Sequence, residues 1–461
     1  MILLIMQYKL NQKLRKIILV SILVQLALIS LISLQNKIYL WDEAAYILNG
    51  MDIAHKPISP VMQQYIAHER HPLLSWIIAA LAYLNVPLIF YNLISPVSLI
   101  LFIVLIYKMG GRLYNRDVGL VSGLILASIP TIVFISVKIM TDVPAALLFS
   151  ASLYFYYLGL EKPKYFLLGG LIGGISIIMK DMNFLLVPIL FIFTLAFWKK
   201  ISIKYYIYSI FIAFISILPY LFDNFQRWGN PLYRILAHIE MVSQGVGYHS
   251  FPLQDISFTW IIFLPIFIGI PIFYLFMLNL YKNRKRLYSN PNIRFLLIWF
   301  IIPFAIFLLG QKIEYRLTSI FAVPILLIGS NELLSKSKNN FKIFMVIILF
   351  LNGFLLFDLI ALNRIELSHS HKECFDFIEK NISYTQRIFS NAEPPSVVAW
   401  YTNRTVIYST TPDPESRFTY YLYYRPYSEM LSMLAENIPI NAKNYKIIFN
   451  NPICTLYQKI S

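Results

Sequence analysis

Charged side chains are scarce in this chain of 461 residues, since Asp, Glu, Lys and Arg make up 13% of it while 58% of the residues are hydrophobic. A typical soluble domain carries roughly a quarter charged residues. The chain therefore lacks the polar surface that soluble domains of this total length need, and lipid must solvate much of it. The sequence predicts a polytopic α-helical membrane protein.

Internal repeats, low-complexity tracts and a signal-peptide cleavage site are also missing from the sequence. The first apolar run is followed by Gln35-Asn36-Lys37, with no small-x-small tripeptide, so we interpret this run as a retained span. Acids are almost absent inside the apolar runs, which together with the lack of repeats argues against a transporter. The basic residues form no continuous stripe, which argues against a nucleic-acid-binding protein.

Long apolar runs predict about eleven transmembrane helices, because a helical crossing needs roughly 17–25 residues. The runs are 17–34, 89–107, 118–137, 143–160, 165–180, 183–198, 205–222, 259–280, 293–310, 316–331 and 341–360. With the N-terminus inside, every basic cluster of the short loops falls on the cytoplasmic side: Lys108, Arg112 and Arg116; Lys162 and Lys164; Lys199, Lys200 and Lys204; Lys282 to Arg286; Lys336 and Lys338. The positive-inside rule therefore predicts a cytoplasmic N-terminus and an extracytoplasmic C-terminus in a multi-pass protein of the cell membrane.

Two domains are expected, a transmembrane domain over 1–361 and an extracytoplasmic domain over 362–461. Outward loops would cover 35–88 and 223–258. The apolar segment 72–86 is short, and counting it as a crossing would reverse every later loop, so we interpret it as a juxtamembrane or re-entrant helix.

Short apolar patterns of alternating type in the tail predict a small α/β domain. We expect helices at 374–380, 396–401 and 428–436, and strands at 387–390, 405–408 and 445–449. Cys374 and Cys454 both fall in this domain, where an oxidising exterior would permit a disulfide. Spacing does not show whether they approach, and we favour two unpaired cysteines. Two glycosylation-type triplets, Asn381-Ile-Ser383 and Asn403-Arg-Thr405, agree with an exterior tail.

Acidic residues follow two predicted spans on the outer face. Asp42 and Glu43 are adjacent just beyond the first span, and Asp142 stands where the fourth predicted span begins. The Asp42-Glu43 pair is a candidate general base, and Asp142 is a candidate substrate-binding residue. The alternative for each is a helix N-cap or a favourable interaction with the positive end of a helix.

Basic residues on the same face contradict the inside bias and suggest binding of a lipid phosphate. The candidates are Arg70, His71, Lys180, Lys312 and Arg316, together with the neighbouring Tyr315. Interface anchoring, snorkelling charges or a local Lys180–Asp181 pair are the alternatives. A metal ion held by His55, His68, Glu69 or His71 is a further possibility, although their spacing matches no sharp metal motif.

These motifs resemble the GT-C membrane glycosyltransferases, in particular the superfamily of protein O-mannosyltransferases and aminoarabinose transferases. The resemblance covers roughly the first 330 residues. It rests on the Asp42-Glu43 pair, His71-Pro72-Leu73-Leu74, Thr141-Asp142, the glycine-rich run ending in Met179-Lys180, and Lys312–Pro324. Leu73 and Met179 depart from the usual Pro and Thr, and the Trp-Trp-Asp-Tyr-Gly motif of oligosaccharyltransferases is absent.

The resemblance implies an inverting transfer of a sugar from a polyprenyl- or dolichyl-phosphate donor to an acceptor hydroxyl of a protein, lipid or glycan. In that scheme Asp42 takes the acceptor proton and Glu43 supports it. Arg70, Lys180, Lys312 and Arg316 stabilise the departing phosphate, and Asp142 orders the first loop or touches the sugar. No cofactor is certain, and dependence on a divalent metal stays open. A multi-pass transporter and a non-catalytic glycan-assembly factor are the alternative functions.

Overall fold

The computed structural model of the protein describes residues 10–34, 41–63, 66, 70–236, 259–284, 289–309, 315–335, 341, 344, 347, 369–383, 386–390, 401–408, 420–424, 445–450 and 454–459. Most of these residues are helical. The α-helices span Gln12–Leu34, Trp41–Ile53, Pro60–Gln63, Pro72–Tyr83, Ile94–Leu113, Arg116–Leu126, Pro130–Ser136, Asp142–Gly159, Tyr165–Met179, Leu186–Phe197, Ile203–Trp228, Thr259–Ile268, Ile270–Lys282, Pro291–Leu309, Ala322–Leu334 and His369–Asn381. Turns of 3-10 helix span Leu88–Leu93, Asp181–Leu185, Trp198–Lys200 and Tyr315–Phe321.

The helices confirm a multi-pass membrane protein. Within the described residues, 6 helices are long and apolar enough to cross a bilayer, or 7 if one bent pair counts as a single span. The predicted number of about eleven is larger. Each of the first ten predicted runs coincides with helix, but several of these helices are short or broken, and the run 341–360 lies mostly outside the described residues.

Two runs predicted as single spans are interrupted. The run 118–137 bends by 67° between the helices Arg116–Leu126 and Pro130–Ser136. Pro130 lacks a backbone N–H and fits the first turn of a new helix, which explains the break. The run 259–280 is interrupted at Gly269, whose φ of 109° is accessible mainly to glycine.

Contacts divide the chain into two compact units. The first consists of Met1–Leu34, His71–Leu73 and Asn92–Leu356, and the second of Gln35–Arg70, Leu74–Tyr91 and Phe357–Ser461. Part of the predicted first outward loop is thus grouped with the C-terminal residues. The division at residue 361 stays a prediction.

The first unit is a bundle around the segment Arg316–Leu334, of which 94% of the most apolar window is buried. The helix Ile203–Trp228 lies at the periphery, with only 11% of its window buried and Phe211 and Phe222 largely exposed. Such an apolar, exposed surface suits contact with lipid. The peripheral helix packs closely on Tyr165–Met179 because Gly170 has no side chain: a Cβ there would lie 2.1 Å from the Ser209 carbonyl oxygen.

The second unit contains a five-stranded sheet in the order β2-β1-β3-β5-β4. The strands are β1 Arg387–Ser390, β2 Thr405–Tyr408, β3 Tyr420–Tyr424, β4 Tyr445–Asn450 and β5 Cys454–Lys459. Strand β1 is parallel to β2 and β3, whereas β5 is antiparallel to both β3 and β4. The predicted α/β character of the tail and three of its strands are confirmed, and β3 and β5 were not predicted. Most of the predicted helix 396–401 and all of 428–436 fall outside the described residues.

The preference for two unpaired cysteines is wrong. Cys374, on the helix His369–Asn381, forms a disulfide with Cys454 at the start of β5, with 6.4 Å between their Cα atoms. The two cysteines are 80 positions apart, and the sequence between them does not indicate that they are close in space. It arises because the helix packs on the sheet, where both cysteines are fully buried.

Candidate functional site

The second unit carries the predicted acidic pair. Asp42 and Glu43 lie in the first turn of the helix Trp41–Ile53, where the unpaired N–H groups favour negative charge. Glu43 is fully buried, whereas 15% of the Asp42 side chain is exposed. Asp42 is therefore the more accessible of the two carboxylates. The positive end of the helix stabilises its negative charge.

Arg70 pairs with Asp42. The distance between Arg70 Nη2 and Asp42 Oδ1 is 2.8 Å, and 36% of the Arg70 side chain is exposed. A charge-assisted hydrogen bond of this kind fixes the orientation of the carboxylate. The pair also places a guanidinium beside the candidate base, which suits an anionic group that approaches it. Phosphate binding by Arg70 stays a prediction.

The first unit carries a separate charged group, the Asp142 cluster, formed by Asp142, Lys180 and Arg316. Asp142 is in the first turn of the helix Asp142–Gly159, and its side chain is 1% exposed. Lys180 Nζ donates to Asp142 Oδ1 at 2.6 Å, and Arg316 Nη1 lies 4.0 Å from Asp142 Oδ2. Asp142 is not the N-cap of this helix, which is Thr141, but its place in the first turn fits the alternative of a favourable interaction with the positive end of the helix.

The Asp142 cluster contains one buried carboxylate and two cations. The Lys180 and Arg316 side chains are 16% and 24% exposed, so both remain partly accessible. Cations placed in this way can stabilise an anion such as a phosphate. The structure thus brings together three predicted site residues from distant parts of the chain. Lys312 lies outside the described residues, as does the side chain of Tyr315.

His71 contacts the residue next to Lys180. The Asp181 backbone N–H donates to His71 Nε2 at 3.3 Å, and Asp181 Oδ1 lies 3.2 Å from the same nitrogen. On its other side the His71 ring stacks on Tyr220, with 6.4 Å between the ring centroids. His71 is therefore held between the end of one helix and the face of another.

Tyr220 also contacts a second charged group of the first unit, which was not among the predicted site residues. Arg234 is 5% exposed and lies over the rings of Trp228 and Tyr220 at 4.7 and 5.6 Å. Its guanidinium pairs with Asp223 at 2.7 Å and donates to Asn224 Oδ1 at 2.7 Å. Burial lowers the pKa of Arg234, and the Asp223 carboxylate opposes that shift.

Only a weak sequence pattern indicates this group. Tyr220, Asn224 and Trp228 recur every four residues, which places them on one face of the helix Ile203–Trp228. The partner Arg234 follows the αL glycine Gly229 that ends the helix.

Metal ligation receives no structural support within the described residues, where no three His, Cys, Asp or Glu side chains are arranged to hold an ion. His68 and Glu69 lie outside those residues. Dependence on a metal therefore stays open.

Comparison with known proteins identifies the membrane region. Residues 69–222 match the family model described as dolichyl-phosphate-mannose-protein mannosyltransferase. This range contains Arg70, His71, Asp142 and Lys180, whereas Asp42, Glu43 and Arg316 lie beyond it. No curated protein matches the sequence.

Solved structures show the same fold. ArnT from Cupriavidus metallidurans, crystallised with undecaprenyl phosphate, aligns with a TM-score of 0.71 at 10% identity, over 97% of this chain and 98% of that one. The oligosaccharyltransferase AglB from Archaeoglobus fulgidus, in complex with an inhibitory peptide and a dolichol-phosphate, aligns with a TM-score of 0.54 at 13% identity, over 87% of this chain and 69% of that one. Identities this low show the fold alone.

The family match and the fold agree with the resemblance that the motifs indicated, although they come from different properties of the chain. The predicted helical membrane architecture with a small C-terminal sheet region is confirmed, whereas the predicted number of spans is not. The protein has an ArnT-like fold, and its residues 69–222 are similar to the dolichyl-phosphate-mannose-protein mannosyltransferase family.

Proposed function

We propose that the protein is an inverting glycosyltransferase that moves a sugar from a polyprenyl-phosphate donor to an acceptor hydroxyl on the outer face of the membrane. The observation that carries this proposal is the fold, shared over 97% of the chain with a protein crystallised with undecaprenyl phosphate. The family match over residues 69–222 supports the same donor class. The sugar and the acceptor are left unassigned.

Asp42 is the proposed general base. The acceptor oxygen attacks the anomeric carbon and transfers its proton to the Asp42 carboxylate, while the bond between that carbon and the phosphate oxygen breaks with its electron pair going to the phosphate. Attack opposite the leaving group inverts the anomeric centre. The partial exposure of Asp42 and its hydrogen bond to Arg70 support this role, because an oriented, accessible carboxylate is needed. Glu43, which is buried in the same helix turn, is proposed to support Asp42 in this role.

Cationic side chains are proposed to stabilise the departing phosphate, on which negative charge develops as the glycosidic bond breaks. Lys180 and Arg316 in the first unit, and Arg70 in the second, are partly exposed and each already contacts a carboxylate. A phosphate dianion can compete for such groups. Lys312, His71 and Tyr315 remain proposed phosphate contacts on the basis of the resemblance.

The proposal is tested with purified protein and a panel of polyprenyl-phosphate sugars labelled in the sugar. Release of free polyprenyl phosphate, together with label on an added acceptor, is the expected result. A transporter would move the lipid without cleaving it, and an assembly factor would leave the donor intact. Failure to cleave any donor in the presence of protein, lipid and glycan acceptors would contradict the proposal.

The Asp42→Asn variant should lose transfer by about 10²–10⁴-fold, because the amide accepts no proton at neutral pH but keeps the size of the carboxylate. Donor binding and membrane insertion should persist. Glu161→Gln is the matched control, since Glu161 is an exposed carboxylate that pairs with Arg112 in a predicted cytoplasmic loop. Initial rates of polyprenyl phosphate release decide the matter, and an Asn variant of full activity would exclude Asp42 as the base.

A further inference from the structure

The helix that carries Asp42 is buried from Glu43 to Gly50, whereas its last turn is partly exposed. Trp41–Ile53 begins with the acidic pair, and the residues from Ala44 to Leu48 that follow are each at most 4% exposed. Leu48 lies about 9 Å along the helix axis from Asp42, at a rise of about 1.5 Å per residue. Because an α-helix is stiff over this distance, contacts at Leu48 influence the position of the first turn and its two carboxylates.

Leu48 belongs to the core of the C-terminal sheet region. One continuous cluster of buried side chains contains Leu48 and Met62 together with both halves of the disulfide, Cys374 and Cys454. Ile388 of β1 and Leu456 of β5 are fully buried in the same cluster. The acidic helix thus shares its hydrophobic core with residues more than 300 positions later in the chain.

The disulfide belongs to this cluster. It joins the helix His369–Asn381 to β5, and both sulfur-bearing residues are 0% exposed. A crosslink that closes so long a loop restricts separation of the helix from the sheet. The surface that receives Leu48 is therefore held together covalently.

Two further contacts restrain the same segment. A Cβ on Gly50 would lie 2.5 Å from Ile78 Cγ2 and 3.0 Å from the Ser75 carbonyl oxygen, so the acidic helix packs directly on the helix Pro72–Tyr83. Beyond the acidic helix, Ser59 hydrogen-bonds to Asn403 at 2.8 Å. The acidic helix is consequently confined between the apolar helix and the C-terminal core, with little room to shift.

We propose that the C-terminal domain, held by the Cys374–Cys454 disulfide, is a positioning element for Asp42, with Leu48 as the residue that transmits the position. Transfer then depends on the oxidised state of a disulfide that takes no part in the chemistry. A displacement of about 1 Å in a catalytic group can cost about 10²-fold in rate, so a modest loosening of this core is sufficient. The inference rests on the proposed glycosyltransferase function.

The test compares Leu48→Ala with Leu48→Met. The alanine leaves a cavity beneath the acidic helix, whereas methionine conserves most of the volume. We expect Leu48→Ala to lower kcat by about 10- to 100-fold, with the donor KM changed less than twofold. Leu48→Met should retain most of the wild-type kcat. Ile447→Ala, at a residue 58% exposed on β4, is the matched control and should leave both constants unchanged.

Reduction of the wild-type protein should reproduce the Leu48→Ala effect. The protein is treated with a phosphine until its mass shows two free thiols. If the buried bond resists reduction, the Cys374→Ser/Cys454→Ser variant removes the same crosslink. Unchanged kcat in the reduced protein would overturn the proposal, as would a change confined to KM.

Hydrogen exchange separates this proposal from the glycosyltransferase proposal itself. Loss of the disulfide should reduce the protection of Trp41–Ile53 while Tyr165–Met179, in the other unit, keeps its protection. If no donor is cleaved by the wild type, the proposed function fails, but this exchange difference still supports the structural coupling. If the wild type is active and neither kcat nor exchange in Trp41–Ile53 responds, the coupling is excluded.

Discussion

In the Asp142 cluster a buried carboxylate is compensated by Lys180 at 2.6 Å and by Arg316 at 4.0 Å. Asp142 and Lys180 could be selected from the sequence because each is a charged residue at the outer end of an apolar run. Their pairing across 38 positions could not be selected, since it depends on how two helices pack. The same limit applies to His71 and Asp181, which are 110 positions apart. The sequence shows where charged residues stand along the chain, but only the fold determines which of them form ion pairs.

Removing Lys180 should destabilise the membrane region. Lys180→Met leaves the buried Asp142 carboxylate with Arg316 at 4.0 Å as its remaining cation in the cluster. Removing one partner of a fully buried ion pair costs about 3–5 kcal/mol when the other charge is left unpaired, so the cost here should lie below that range because Arg316 still compensates part of the Asp142 charge. We expect a lower thermal midpoint in detergent and a slower transfer reaction.

Two variants check the explanation. Lys180→Met/Asp142→Asn removes both charges and should recover most of the stability but not the activity, since both residues are proposed to serve the donor site. Lys164→Met changes an exposed lysine and should alter the stability by no more than about 0.5 kcal/mol. A Lys180→Met protein as stable as the wild type would mean that the pair does not compensate Asp142.

At the scale of the helix, long apolar runs were reliable predictors because lipid allows few alternatives to a helix. The interruptions were missed, although Pro130 and Gly269 were visible in the sequence. A hydropathy pattern averages over a window and does not register a single residue that ends a helix. In the tail, β3 was missed because its run of aromatic residues, Tyr420–Tyr424, does not alternate in polarity.

The glycine-rich helix Tyr165–Met179 provides a prediction at this scale. Its glycines belong to the motif that resembles the family, and the structure shows why a side chain is excluded at Gly170. Gly170 faces the backbone of Ile203–Trp228, so Gly170→Ala must push the two helices apart. Overpacking of this kind costs about 1–3 kcal/mol.

Gly111→Ala is the matched control, because a Cβ at Gly111 would meet only the Arg116 side chain, at an ordinary 3.8 Å. Thermal unfolding of the two purified variants gives the comparison. The expected order of stability is wild type and Gly111→Ala together, with Gly170→Ala below them. Equal midpoints for the two variants would show that the helices separate without cost.

For the whole molecule, the motifs predicted the architecture, whereas the association of the acidic helix with the C-terminal core had no sequence signal. Leu48 and Cys454 are separated by most of the chain, and neither belongs to a recognisable motif. Cores of this kind are specified by volume and shape, and many apolar sequences satisfy the same requirement. Chemistry-bearing residues are the ones that a motif can reveal, because few residue types can replace them.

The orientation of the chain in the membrane is the remaining prediction for the whole molecule. An odd number of crossings places the two termini on opposite sides, and the basic loops predict that the N-terminus is cytoplasmic. In intact cells, an epitope at the C-terminus should therefore be accessible to antibody, while an N-terminal epitope should require permeabilisation. A protease site inserted at 160–164, between the helices Asp142–Gly159 and Tyr165–Met179, should likewise be protected in sealed right-side-out vesicles.

The inserted site also decides the status of the helix Pro72–Tyr83, which is apolar but only 12 residues long. If this helix crossed the bilayer, the segment 160–164 would lie outside, and its lysines would oppose the positive-inside rule. Cleavage in sealed vesicles, with the N-terminal epitope still protected, would establish that crossing. It would also place the Asp142 cluster on the cytoplasmic side, because one helix, Asp142–Gly159, separates that cluster from the inserted site. The proposed reaction at the outer face therefore requires protection of this site.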